Sequence, residues 1–292
     1  METLPINQLL PITPRPAAVS ASGAPTFWQR VAGTLRVLHR VNPALSAVGW
    51  LQVGLAALAL ALLPLDQRHV GGLLVWAKPL KFSLSIVAYT WTLAWLLADL
   101  PAPAQRAVRR LSAGVALSMV VEQAVIFGQA GRGTTSHYNG SSPLNALLFG
   151  LMGVFILVNT VLTGWAVYLA WRYRPHGPAG YVWGLRLGLL VFLVGSVLGG
   201  FMIHAGQHTV GAPDGGRGLP GLGWSTVAGD LRLAHFLGMH ALQALPLLGW
   251  ALSRWVPRRA VALTWLGTAL YGAAVAGLLA QALAGRPLLA AH

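Results

Sequence analysis

The chain has no cysteine in its 292 residues. That excludes a disulfide scaffold and any cysteine-ligated metal or iron–sulfur centre, so a metal here would need His, carboxylate or Met ligands. Charge is scarce as well. Asp, Glu, Lys and Arg make up 9% of residues against 55% hydrophobic ones, whereas a soluble domain carries roughly a quarter charged residues. This composition excludes an ordinary cytosolic enzyme, a disordered chain and a collagen-like one. Acids are the scarcest class, six against 20 Lys and Arg, for a formal charge of +14. Such an excess can mark a nucleic-acid binder, but here the basic residues stand at the ends of apolar segments and read as topology signals, so no nucleic-acid partner is expected.

What the chain has in abundance is long apolar runs. Seven of them, at about 46–64, 79–98, 111–130, 144–171, 182–206, 231–253 and 260–284, are each long enough to cross about 30 Å of hydrocarbon as a helix. They are continuous, without the short alternating segments of a spanning barrel. The expected fold is therefore an all-α integral membrane protein, with a seven-helix bundle over 46–284. Residues 1–26, with five prolines, read as a flexible cytoplasmic tail. Residues 27–41 spread arginines and apolar residues to different sides, as an amphipathic helix lying in the membrane interface does. Residues 285–292 form a short tail. Threading the basic residues through seven spans puts thirteen on one side, Arg106, Arg109, Arg110, Arg172 and Arg174 among them, and seven on the other. By the positive-inside rule the N-terminus is cytoplasmic, the C-terminus extracytoplasmic, and the membrane is the plasma (inner) membrane.

Polar groups are costly inside a membrane, so their distribution is the functional evidence. Seven histidines fall in the outer half or the outer loops by this topology, leaving only His39 and His176 inside. In the third span, Ser118, Glu122 and Gln129 share one face, and Glu122 is the one carboxyl well inside a span. It is either a structural carboxyl paired with a lysine, or a metal ligand, proton carrier or general base. Lys78 and Lys81 open the second span, where the helix dipole disfavours cations. Either Glu122 or an anionic ligand compensates them, or both snorkel to the headgroups. His204 and His208 stand at i and i+4, a spacing that lets two imidazoles converge on one ion. The sixth span opens with Asp230 as a helix cap and continues with Arg232, His235, His240 and Gln243, the last a candidate partner for His240. The loop after the third span carries Arg132 and His137 and continues the Glu122 stripe. Asn139-Gly-Ser141 matches a glycosylation sequon, a pattern with many chance occurrences.

The membrane histidines resemble those of membrane hydroxylases and desaturases and of b-type membrane cytochromes, and seven spans resemble the progestin and adipoQ receptors. None of these patterns is carried through. There is one HxxxH, the inner half has no paired histidines, and the last span has no histidine. The residues therefore predict a membrane metalloprotein of no assigned family, a redox enzyme acting on a quinone-like or other lipid-soluble substrate. Its expected ligands to iron, zinc or copper are Glu122, His137, His204, His208, His235 and His240, with Glu122 and His240 catalytic. In a haem b form, Lys78, Lys81, Arg132 or Arg232 would hold propionates. The alternative expectation is a proton-coupled transporter or channel using Glu122 and the buried histidines.

Overall fold

A computed structural model describes residues 26–289. The expected tail over 1–26, apart from Thr26, and His292 lie outside the described residues. Among the described residues there are eight α-helices: α1 (Phe27–Val41), α2 (Pro43–Leu62), α3 (Ala77–Ala98), α4 (Gln105–Gly131), α5 (Pro143–Arg172), α6 (Ala179–Ala205), α7 (Leu231–Trp255) and α8 (Ala260–Leu283). Seven of them, α2 to α8, are long and apolar enough to cross a membrane.

Their ends are set by local chemistry that hydropathy alone does not register. Asn42 caps α2 by accepting from the Leu45 N–H, and Pro43 fills the first helical position, so the helix begins three residues before its apolar run. The Asn42 amide also donates to Ser112 Oγ at 2.8 Å, fastening α2 to α4. The third expected span, 111–130, proves to be the apolar part of a longer helix starting at Gln105, because Arg106, Arg109 and Arg110 are good helix formers. Thr26 and Gln29 form a reciprocal capping box at the start of α1.

The core runs through α3, α4, α6 and α7, where Leu93, Leu97, Leu111, Val115, Leu185, Phe192 and Leu242 are all buried. On α5, by contrast, Leu147, Val154, Leu157 and Val161 are exposed at helical spacing, an apolar stripe suited to lipid. Helices α6 and α7 cross at close range on glycine. A side chain at Gly195 would strike the Gly238 backbone, and one at Gly184 the Leu245 carbonyl beside Pro246. Such small-residue contacts are how membrane helices gain dispersion energy without a hydrophobic drive.

Two small sheets stand at one end of the bundle. Strands β1 (His69–Val70) and β2 (Leu73–Leu74) pair across Gly71-Gly72, both at positive φ as a two-residue hairpin turn requires. Strands β3 (Thr209–Val210) and β4 (Gly229–Asp230) pair to close the long loop between α6 and α7 at its base.

Candidate functional site

Three ionisable side chains from distant parts of the sequence meet at this end. Glu122 lies nine residues before the end of α4, about 13 Å down the helix at 1.5 Å per residue. It is 6% exposed. The loop after α4 turns back over it, and His137 Nε2 comes to 3.7 Å from Glu122 Oε1. The other ring nitrogen, Nδ1, lies 3.0 Å from Lys78 Nζ and 3.1 Å from Ser136 Oγ. An ammonium can only donate, so Nδ1 accepts and the proton of the neutral ring sits on Nε2, facing the carboxylate. Burial, the Lys78 charge and His208 hold the His137 imidazole well below its ordinary pKa, which favours the neutral ring. Glu122 Oε2 has no hydrogen-bond partner among the described residues.

Aromatic rings wall the cluster. Phe82 and Phe149 pack against His137, and Tyr138 packs against both His137 and Phe149. Tyr138 is the one non-glycine residue at positive φ among the described residues, at 54°, a conformation that costs energy and is held only by surrounding structure. The turn it makes is what drives His137 inward. Burial and the Asp214 charge push its hydroxyl up to about 12.

The loop 206–230 folds over the start of α3 as a structured lid. Lys81 Nζ donates to the Leu222 carbonyl at 3.0 Å, and Arg232 Nη2 donates to that of Gly223 at 2.5 Å. Asp230 ends β4, caps α7 by accepting from the Arg232 N–H, and takes two bonds from the Arg232 guanidinium. Burial works to raise its pKa, but the bonds from Arg232 and the Ser225 N–H outweigh it and hold the carboxyl below its usual range. Asp214 accepts from the His208 and Thr209 N–H groups and faces His208 Nδ1 at 3.2 Å. Burial and Arg232 nonetheless lower the His208 imidazole. Lys78 lies within electrostatic reach of Glu122, Lys81 and Arg232.

Several expected ligands lie elsewhere. The His204/His208 pair does not form a helical HxxxH site. Gly206, at φ +68°, ends α6 after Ala205, which leaves His204 exposed on the last turn while His208 joins Asp214 in the lid. His235 Nδ1 bonds the Gly195 carbonyl at 2.8 Å across the α6–α7 crossing. His240 packs edge-on to Phe236, and Gln243 bonds the Ala88 carbonyl and Thr92 Oγ1 instead of His240. Arg132 bonds Gln129 and Asn145, tying α4 to α5. Among the described residues no group of three or more His, Asp or Glu is placed to hold a metal ion. The Asn139 side chain is buried and bonded to Thr134, Thr135 and Ser141, which is no posture for a glycan acceptor.

The structure also adds residues that the sequence did not single out. Gln123 donates to Ser83 Oγ at 2.7 Å, with its own Oε1 unpartnered among the described residues. Tyr89, stacked on Phe192, bonds Asn159 at 3.0 Å and Thr163 at 3.3 Å. At the opposite end, Tyr181 donates to Asp99 Oδ2 at 2.5 Å. The available signal was single polar residues within apolar runs, each of which alone reads as ordinary. No protein-family profile, curated protein or solved structure matches the chain.

Proposed function

We propose that the protein is a proton-coupled membrane transporter in which Glu122, His137 and Lys78 take up and release the proton. The observation that carries this reading is one imidazole set between two ionisable groups, with Nε2 3.7 Å from the buried Glu122 carboxyl and Nδ1 3.0 Å from the Lys78 amine. The step balances without cofactor. Glu122 takes the proton from Nε2 while Lys78 passes one to Nδ1, so the ring changes tautomer and both charges vanish. The reverse step restores them. Glu122 Oε2, without a hydrogen-bond partner among the described residues, is free to carry the transferred proton.

Support comes from the polar groups along α3. Below Lys78 come Ser83 with Gln123, then Tyr89 with Asn159 and Thr163, then Asp99 with Tyr181, buried groups at successive depths between the two ends. At 1.5 Å per residue the steps are roughly 7 to 15 Å, so water or side-chain motion must complete the path. The positive-inside rule puts the cluster toward the extracytoplasmic side of the plasma membrane, with α1 lying along the cytoplasmic interface.

The test uses the full chain in liposomes loaded with a pH-sensitive dye, with an imposed membrane potential driving protons inward. Wild type acidifies the lumen. Glu122→Gln and His137→Gln each slow this at least about tenfold, a typical loss when a proton-transferring group is removed. Undiminished uptake in both variants overturns the proposal. Reporter fusions at Arg109, Arg174 and Arg258 read as cytoplasmic, and those at Asn139 and Gly216 as extracytoplasmic.

The redox reading, with a quinone-like or other lipid-soluble substrate, keeps one specific observation, the approach of His137 Nε2 to Glu122 Oε1 at 3.7 Å beside the Phe82 ring. It needs ligands beyond this pair. Stoichiometric iron, zinc or copper in the purified protein, or the Soret band of haem b, selects it over the transporter.

A further inference from the structure

The end of the bundle opposite His137 is walled by tryptophan and arginine. Trp171, near the end of α5, and Trp183, in α6, meet edge-on with centroids 5.7 Å apart, and Trp183 leans on Trp265 of α8 at 5.1 Å. The Arg186 guanidinium lies over both Trp171 and Trp183, 5.4 Å from each centroid, and its Nε donates to the Ala170 carbonyl at 2.9 Å. These contacts orient the guanidinium plane and engage Nε. The two terminal nitrogens make no hydrogen bond within the described residues. They border a shallow, open cleft of about 230 Å³ lined by Arg174, Ala179, Val182, Trp183 and Arg186. Arg174 lies within electrostatic reach of Arg186, and no acid among the described residues lines the cleft.

A basic residue that only marks topology needs no more than a place in a loop. Arg186 stands seven residues into α6, about 10 Å along its axis, and is held between two indoles. Two guanidiniums facing one cleft repel each other unless an anion lies between them. Guanidinium has the planar fork that matches phosphate oxygens, and stacking on the indoles pre-orients it. The indoles and Val182 give the cleft an apolar wall of the kind found at headgroup depth, where tryptophan collects, and basic pockets between helices on the positive side of a membrane protein hold anionic headgroups. From this we infer that the Arg174–Arg186 cleft binds the phosphate of an anionic phospholipid headgroup, with the acyl chains running along α5 and α6.

The test uses the full-length protein in detergent. Bound lipid is counted by native mass spectrometry, and affinity is read from tryptophan fluorescence during titration with phosphatidylglycerol, phosphatidylcholine and inorganic phosphate. Phosphatidylglycerol should bind more tightly than phosphatidylcholine and survive transfer to the gas phase. Arg186→Gln and Arg174→Gln should each weaken it about tenfold, the scale of one charge-assisted contact. Arg186→Lys should recover only part of the loss, because an ammonium has no fork. Arg174 is exposed, so its variant tests the site without disturbing packing. Unchanged phosphatidylglycerol affinity in both glutamine variants overturns the site. An equal loss in Arg258→Gln, at the same end of the bundle, reduces it to diffuse surface charge and overturns it too. Inorganic phosphate binding as tightly as phosphatidylglycerol overturns the lipid as the source of the phosphate.

Discussion

Removing one charge from the Lys78–His137–Glu122 cluster should cost more than removing both. The legs of 3.0 Å and 3.7 Å on either side of the imidazole, with about 2 Å across the ring itself, cap the separation of the two charges at about 9 Å. At an effective dielectric of about 20, Coulomb's law gives roughly 2 kcal/mol of attraction at that distance. Lys78→Met leaves Glu122 without its counter-charge, and Glu122→Gln does the same to Lys78. The double variant has neither charge to satisfy. In a double-mutant cycle on detergent-solubilised protein, followed by reversible chemical unfolding, the double variant should therefore be more stable than the sum of the single losses predicts, by about 2 kcal/mol. The same cycle built on His137→Gln should retain a coupling of similar size, because the attraction is through space while the proton relay is lost. Additivity of the single effects to within about 0.5 kcal/mol, the usual behaviour of independent sites, would refute the placement of these charges and with it the relay.

Two further outcomes follow from the packing. Burial pushes the Asp99 carboxyl up to about 6 against the partial relief of its bond from Tyr181. A carboxyl whose folded pKa is raised stabilises the fold while it is protonated, so its contribution is full below about pH 4 and lost as pH rises through about 6. At about 1.4 kcal/mol per pKa unit this amounts to roughly 3 kcal/mol. Asp99→Asn should flatten that part of the stability–pH curve, and thermal unfolding at pH 4.5 and 7.5 that changes equally in both proteins would contradict the assignment. At the α6–α7 crossing, a Cβ on Gly195 would lie 2.7 Å from the Gly238 backbone, while Gly200 has open space around it. Gly195→Ala should lower stability by about 1–3 kcal/mol through overpacking and Gly200→Ala by far less, measured in the same unfolding assay.

Much of the architecture was legible in the amino-acid order because hydrophobic length is a one-dimensional property. A run of twenty apolar residues has few places to go except across a bilayer, so the seven spans could be counted without knowing how they pack. The Asp230 cap was legible for the same reason, since its partner is two residues away, and so was the polar face of α4, which is periodic. Proximity across the sequence was not legible. His137 meets Lys78 and Glu122 because a strained turn at Tyr138 folds a loop inward, and no local pattern encodes that. His204 and His208 had ligand spacing, yet Gly206 ended the helix between them and sent them apart. His235 and Gln243 had the chemistry of a site, but the close glycine crossing of α6 and α7 placed the Gly195 carbonyl beside His235, and the Gln243 amide donates to Ala88 and Thr92 of α3. The sequence by itself determined which groups would be expensive to bury. Only the tertiary structure decided how each was satisfied, because a buried polar group is stabilised by whichever partner the packing brings within about 3 Å, and that is a relation between helices.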